Sequence, residues 1–435
     1  MDKSKEESEL EIPTTGNWSV CANEGDDSRW FLHESQKWMY NVDDHAYFHV
    51  ASGTILRGEE YLEPALDEQE EEEDEEEFAL DFSKDLISGT VSRKAPIESK
   101  TESEDRFTTC ECMSIQYVSN SEALCYYSGV FDGHYGPECS EYTSRHLKNN
   151  ILSVFRQSVH SKGVKRRKSI KGAEIADTSH ECADVEALVN GCIKGFEMTD
   201  NNFCRIADRS NIMDGSTACV LLLYGPDPDG SLKIISANVG DSRAILCSLG
   251  DDGESYIATA LTVDHKPDSP SEKERILASG GTVEFLQGTW RAVGKLRNQI
   301  ACALATSRSI GDLMLKTPKK IVSAVPDVRI RTVDFDKDLF VVLCTDGVTD
   351  VVTNQEIVNI VAECIQAGNS PEKAAEKIVA TSEQRGSYDD KTCTIIYFGW
   401  HKEIFSKCLV QDTEVPEDGQ KEEENEEEDE NIFAA

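Results

Sequence analysis

The chain has 435 residues, with 82 acidic against 44 basic side chains and a formal charge of −38. Acidity on that scale argues against a binder of the nucleic-acid backbone, whose affinity comes from Lys and Arg displacing counterions; it leaves basic partners open. The 39% hydrophobic content is enough for one large core or two ordinary ones, and no apolar run nears the ~20 residues of a membrane helix.

Residues 1–29 are polar and are expected to be loose. No apolar stretch of the kind that exports a chain follows Met1-Asp2-Lys3, so a soluble protein of the cytoplasm or nucleus is expected. The 15 Cys are odd in number and scattered through apolar text, where a reduced thiol behaves as a small hydrophobe. From Trp30 to Phe48, six aromatics fall within 19 residues at spacings near eight, which predicts short aromatic strands joined by polar turns. This 30–63 segment resembles the octamer-repeat aromatic modules of RNA-processing proteins and, more loosely, a WW-like meander. A hairpin docked on the main domain and a separate peptide-binding module are both open. Residues 64–85 form an acidic linker; within it 67–77 holds 10 acids and no base, too charged to fold. The main domain is expected over 86–400. A basic insertion, Lys162 to Ser169, interrupts it as a loop and secondarily as an import or kinase-recognition motif. Residues 401–435 are read as a disordered acidic tail, 412–430 holding 12 acids against one Lys.

Within 86–400, short strand-like runs predict strands over 123–131, 218–224, 232–239, 244–249, 256–261, 339–344 and 393–398. Period 3.6 predicts helices over 137–154, 185–206, 271–279, 354–367 and 371–383. Runs of strands with helix pairs inserted point to an α+β fold of stacked antiparallel sheets covered by helices; a doubly wound parallel sheet would need a strict alternation that 218–261 lacks.

Several strands run out into a carboxylate: Phe131 into Asp132-Gly133-His134, Val239-Gly240 into Asp241, Thr345 into Asp346-Gly347, while Asp389-Asp390 precedes the last strand. A single Asp-Gly is usually a turn, with Gly supplying positive φ. If these rims converge, however, four or more carboxylates meet. Unit charges ~4 Å apart repel by about 4 kcal/mol at an effective dielectric near 20, so cations must neutralise them. An all-oxygen set selects Mg²⁺ or Mn²⁺ over zinc.

The series Glu104-Asp105, Asp132-Gly133-His134, Asp214-Gly215-Ser216-Thr217, Gly240-Asp241-Ser242-Arg243, Asp264-His265-Lys266-Pro267, Ser307-Arg308-Ser309-Ile310-Gly311-Asp312, Asp346-Gly347 and Gly386 to Asp390 resembles the metal-dependent PPM, or type 2C, family of protein serine/threonine phosphatases. The resemblance implies a four-layer α/β/β/α sandwich. It implies Asp132 bridging two Mg²⁺ or Mn²⁺ ions with the Gly133 carbonyl on one, Asp346 and Asp389 completing the other, and Glu104 and Asp105 holding metal-bound water. Asp241 would serve a weaker third ion and His134 would be the general acid. The implied reaction is attack of metal-activated water on phosphoserine or phosphothreonine in a phosphoprotein. A monomer is expected, with no direct nucleic-acid or membrane partner and with a protein ligand possible for the aromatic segment.

The chain departs from the family pattern at four points. Lys100 stands where an Arg commonly grips phosphate and lacks its bidentate fork, Tyr135 replaces a glycine, Thr349 a Trp, and Asp390 an Asn. Tyr135 and Thr349 read as packing changes. Gly288 to Gln299 corresponds to a flap near the substrate; it imitates a nucleotide loop, but Leu296 stands where Ser or Thr is needed. Two Cys-x5-Arg spacings, Cys139 to Arg145 and Cys302 to Arg308, lack the glycines that wrap a phosphate. Arg308 and Asp312 are expected to brace the core as a buried pair. The competing reading is a weakly active or inactive phosphoprotein-binding scaffold.

Overall fold

A computed structural model describes residues 18–21, 30–33, 35, 37–41, 46–50, 54–57, 81, 85–98, 100–110, 124–161, 173–175, 183–227, 230–295 and 301–409. The acidic stretches 67–77 and 412–430, the basic insertion and the end of the flap segment, 296–299, lie outside the described residues. Two compact units divide the chain, Met1–Ala79 and Leu80–Ala435.

In the first unit, strands Trp18–Cys21, Trp30–His33, Trp38–Asn41, Ala46–His49 and Thr54–Arg57 pair in chain order as an antiparallel meander. Four-residue strands bury little, so the aromatics carry the packing: Tyr40 pairs with Tyr47 across the sheet, and Trp38 meets Tyr47 edge-on at 6.5 Å between centroids. Trp18–Cys21 belongs to this sheet, which therefore starts ahead of the expected boundary at residue 30.

The second unit is α+β and is built on two sheets. One runs Ala173–Ile175, Asp327–Thr332, Lys233–Val239, Ala218–Gly225, Leu124–Phe131, Arg106–Cys110, antiparallel except for its first pair. The other runs Tyr256–Ala260, Arg243–Leu249, Asp338–Cys344, Lys391–Phe398, Leu86–Arg93, antiparallel throughout. Alternation assigns each face. Tyr127, Phe131, Val220 and Leu222 pack on Leu147, Ile151, Phe155, Leu188 and Phe196 of the helices Glu138–Ser161 and Ala183–Ser210. Their alternates Tyr126, Val130, Leu221 and Leu223 cluster with Leu246, Val341, Leu343 and Ile396 of the other sheet. That sheet's outer residues Phe340, Val342, Ile395 and Tyr397 lie under Ile357, Val361, Ile378 and Val379 of Asn354–Gln366 and Pro371–Gln384. The first of these helices starts in a capping box between Thr353 and Glu356 and the second at Ser370-Pro371, both standard start signals.

Phe405 of the helix Lys402–Leu409 stacks on Tyr397 at 4.9 Å, so the folded unit continues past the expected end at residue 400. The expected pairing of Arg308 with Asp312 is not what forms. Arg308 donates to Glu272 Oε1 (2.7 Å) and Asp327 Oδ1 (2.8 Å), while Glu272 Oε2 accepts from Arg275 and from Ser307 Oγ. Burial opposes the Glu272 charge, but the two guanidiniums and the hydroxyl win and hold its carboxyl down at about 2. A depressed carboxyl stabilises the fold above its unfolded value, roughly 4.3, and that stabilisation is lost as pH falls towards 2. Glu272→Gln is therefore expected to cost about 3 kcal/mol at neutral pH and to flatten the decline in urea stability between pH 4.5 and 2, roughly the interval between the unfolded and folded values.

Candidate active site

The strand registers decide which carboxylates meet. Cys344 pairs with Cys393, which brings Asp346, just past one strand, to the same rim as Asp389 and Asp390, just before the other. In the opposite sheet Arg106 pairs with Phe131, setting Asp105 beside Asp132. Thr217 joins the rims: its N–H donates to Asp132 O (2.8 Å), its Oγ1 accepts from Asp132 N (3.0 Å), and the same hydroxyl lies 2.7 Å from Ser242 Oγ. Arg106 donates to the carbonyls of Ser103 and Asp105 and to Glu141, fixing the turn that carries the acidic pair.

Desolvation, then repulsion from Asp346, Asp105, Asp389 and Asp241, pushes the Asp132 carboxyl well above the usual range. Asp346 is pushed up in the same way, by desolvation and by Asp241, Asp389 and Asp350. Asp105 is buried; desolvation and the charges of Asp390 and Asp389 raise it to about 7, although Thr345 and Thr392 hydroxyls bond its Oδ2 at 2.9 and 2.8 Å. Its Oδ1 is buried with no hydrogen-bond partner among the described residues. These crowded carboxylate oxygens fit a hard divalent cation. Among the described residues no three His, Cys, Asp or Glu side chains close on one metal-sized point.

The glycines of the Asp-Gly pairs are not turn residues. A β-carbon on Gly347 would overlap Asp390 O, and one on Gly133 would lie 2.5 Å from Glu104 O, so both are needed for close approach, and neither has positive φ. The positive φ falls next door, at Tyr135 (63°), where the side chain is exposed. The Tyr135 departure thus carries a backbone strain of about 1 kcal/mol, while its ring meets His134 edge-on at 5.8 Å between centroids.

His134 is set by a small antiparallel sheet of Gly133–His134, Gly215–Ser216 and Ile310–Gly311. Its Nε2 lies 2.9 Å from Asp312 Oδ2, which also accepts from Ser309 Oγ. Burial opposes a charged imidazole, but Asp312, Asp241 and Glu104 outweigh it and raise the ring above its ordinary value. Asp312 is fully buried and held below the usual range because His134, Ser309 and Lys316 outweigh its desolvation; it too sits at positive φ, 49°.

Lys100 and Asp390, two of the departures, pair with each other. Lys100 Nζ lies 2.7 Å from Asp390 Oδ2 and 2.8 Å from Glu104 Oε2; burial disfavours its charge, but these carboxylates outweigh that and raise its pKa. Asp390 also accepts from Ala95 N and Glu104 N, each at 2.6 Å. Asp241 Oδ2 lies 2.5 Å from Lys266 Nζ. Glu104, Asp105, Asp132, Gly133, His134, Asp241, Asp346, Asp389 and Lys100 thus belong to one neighbourhood.

Sequence reasoning missed the residues that hold these groups: Asp312 behind His134, Thr345 and Thr392 on Asp105, Thr217 between the rims, and Lys266 on Asp241. The available signal was a Thr at the strand rim beside each acidic site, at 217, 345 and 392. The flap is a hairpin, Thr282–Leu286 with Thr289–Lys295, turning at Gln287 (φ 53°) and Gly288 (φ 85°), with Ala301–Leu304 as its third strand. Thr289–Lys295, the part of the loop-like Gly288–Gln299 text that is described beyond Gly288, is a strand.

Residues 97–391 match the family model described as Protein phosphatase 2C. Over 270 residues, 62% of this chain, the sequence is 34% identical to "Probable protein phosphatase 2C 59" of Arabidopsis thaliana, covering 69% of that protein. It is 36% identical over 271 residues to "Probable protein phosphatase 2C 71" of the same plant, covering 48%. The match therefore spans from about half to just over two thirds of these relatives. The fold is similar to a serine-threonine phosphatase 2C from Toxoplasma gondii, with TM-score 0.57 and 25% identity over 72% of this chain and 95% of that one. A C. elegans sex determining protein shares the fold at TM-score 0.54 and 22% identity, over 74% of this chain and 67% of that one. With more than half its length matched to the family and its acidic motifs gathered on one rim, the chain belongs to the protein phosphatase 2C family.

Proposed function

We propose that the chain is a divalent-cation-dependent protein serine/threonine phosphatase acting on phosphoproteins. The observation that carries this reading is the set of mutually repelling carboxylates, Asp132, Asp346, Asp105, Asp389 and Asp241, beside a histidine backed by a buried aspartate. Asp132, Asp346 and Asp389, with the Gly133 carbonyl, would hold two Mg²⁺ or Mn²⁺ ions; Glu104 and Asp105 would order water about the two ions. When bound, such ions supply Lewis acidity towards the phosphoryl oxygens and acidify an attacking water.

The protein's own groups do the rest. Asp312 engages His134 Nε2 and favours the charged ring. Nδ1 is then the nitrogen that can deliver a proton to the departing serine or threonine oxygen. Lys100 presents an ammonium to the phosphoryl group, in competition with Glu104 and Asp390.

Recombinant full-length protein is expected to hydrolyse a phosphothreonine peptide and p-nitrophenyl phosphate only with Mn²⁺ or Mg²⁺ present, to lose turnover in EDTA and to regain it on cation addition. Folded protein that binds phosphopeptide without turnover under any cation would favour the scaffold reading instead. Lys100→Met is expected to raise KM about tenfold with a smaller change in kcat, the worth of one charge-assisted contact; steady-state kinetics on the peptide checks it.

The first unit, with its aromatic sheet, is proposed to take a protein ligand, and the chain to act as a monomer in the cytoplasm or nucleus. The cysteines whose side chains are described are free thiols, in keeping with a reducing compartment. No helix among the described residues is long and apolar enough to cross a membrane.

A further inference from the structure

Asp241, the residue of the expected third cation position, already has a cation of its own. Lys266 Nζ lies 2.5 Å from its Oδ2, and the Asp241 side chain is only 6% exposed. The charges of Asp346 and Asp350 act on the same ammonium. The backbone gives Lys266 a short leash, because the residue before it is clamped. The His265 N–H donates to Gly240 O (2.9 Å) and its Nδ1 accepts from Gly240 N (3.2 Å). Its carbonyl accepts from Ser307 N and Oγ and from Thr306 Oγ1, and its Nε2 faces Asp327 Oδ2 at 3.2 Å. Gly240 and His265 therefore fix the positions of Asp241 and Lys266 against each other. The neighbouring Arg243 cannot take over the role, since it is committed bidentately to Asp264 (3.0 and 2.7 Å) and to Asn354 Oδ1 (2.7 Å).

We propose that Lys266 is a positioning residue whose ammonium occupies the Asp241 corner in place of a third divalent cation, so that the chain binds two such ions and excludes the third. The proposal rests on the divalent-cation reading above. An ammonium in contact with a carboxylate and a divalent ion on that same oxygen repel each other strongly at such range. A third ion must therefore first break the Lys266 pair, whose carboxylate partner is buried although the lysine side chain itself is 34% exposed.

The test is Mn²⁺ binding to the full chain, measured by titration calorimetry and equilibrium dialysis, alongside the Mn²⁺-induced shift in melting temperature. Wild type is expected to bind two ions, and Lys266→Met one more with a larger thermal shift. Lys266→Arg should keep the wild-type count, and the double variant Asp241→Asn with Lys266→Met should return to it. Asp241→Asn alone should leave the count at two, a readout that stands if Lys266→Met does not fold. Unchanged stoichiometry and affinities in folded Lys266→Met, or loss of one ion in Asp241→Asn, would overturn the proposal. A wild type that binds no Mn²⁺ while Lys266→Met binds one would remove the two-ion reading and leave the role of Lys266 standing. A wild type and a Lys266→Met that both bind none would overturn both.

Discussion

Asp346→Asn is expected to lower turnover by about 10³-fold or more and, without divalent cations, to raise thermal stability. The two effects have one origin. In the folded chain the Asp346 carboxyl is desolvated and repelled by Asp241, Asp389 and Asp350, and Lys266 offsets this only in part. Its pKa in the folded state lies above the unfolded value, so the folded protein binds more protons at intermediate pH. Stability from this group consequently falls as pH rises from about 4, and at neutral pH an ionised Asp346 is a burden that the isosteric amide removes. Saturating Mn²⁺ should invert the order, stabilising wild type and leaving the variant nearly unmoved. Melting curves at pH 7.5 in EDTA and in Mn²⁺ check this; a variant less stable than wild type in EDTA would show that Asp346 is held by contacts the repulsion does not dominate.

His134→Asn is expected to separate substrates by leaving group. A serine or threonine alkoxide cannot depart unprotonated, so phosphopeptide turnover should drop by about 10²–10⁴. p-Nitrophenolate leaves readily without a proton, and hydrolysis of its phosphate ester should fall far less. Asp312→Asn, which keeps the shape but loses the charge facing Nε2, should show the same selectivity in milder form. Equal losses on both substrates would instead make His134 a support for the small sheet in which it is paired to Gly215.

The central strands and the four long helices were legible because their apolar patterns are clean: 218–224 is a continuous apolar run, buried on both faces, and 354–367 carries one apolar stripe under its cap. Leu86–Arg93 was not legible. Its apolar residues are only Leu86, Ile87 and Val91, without a period, and Gly89, which weakens any strand reading, is there because the backbone of Pro371 and Glu372 crosses so close that no β-carbon fits. Asp327–Thr332 hides in the same way behind Arg329 and Arg331. At the site, the acidic residues could be read from their place at strand ends, but the groups that orient them could not. A hydroxyl at Thr392 acquires its role only through a contact to Asp105, 287 residues away in sequence, and Arg308 and Asp312 sit four residues apart yet serve different partners.

Asp132 extends from one sheet and Asp346 and Asp389 from the other, so the acidic rim straddles the seam that Val130, Leu221, Leu343 and Ile396 fill. That greasy interior therefore also acts as a gauge block, setting the gap between two halves of an acidic surface. A shaved methyl group deep in the seam, remote from any phosphate, can leave the protein folded and still let the halves drift out of alignment.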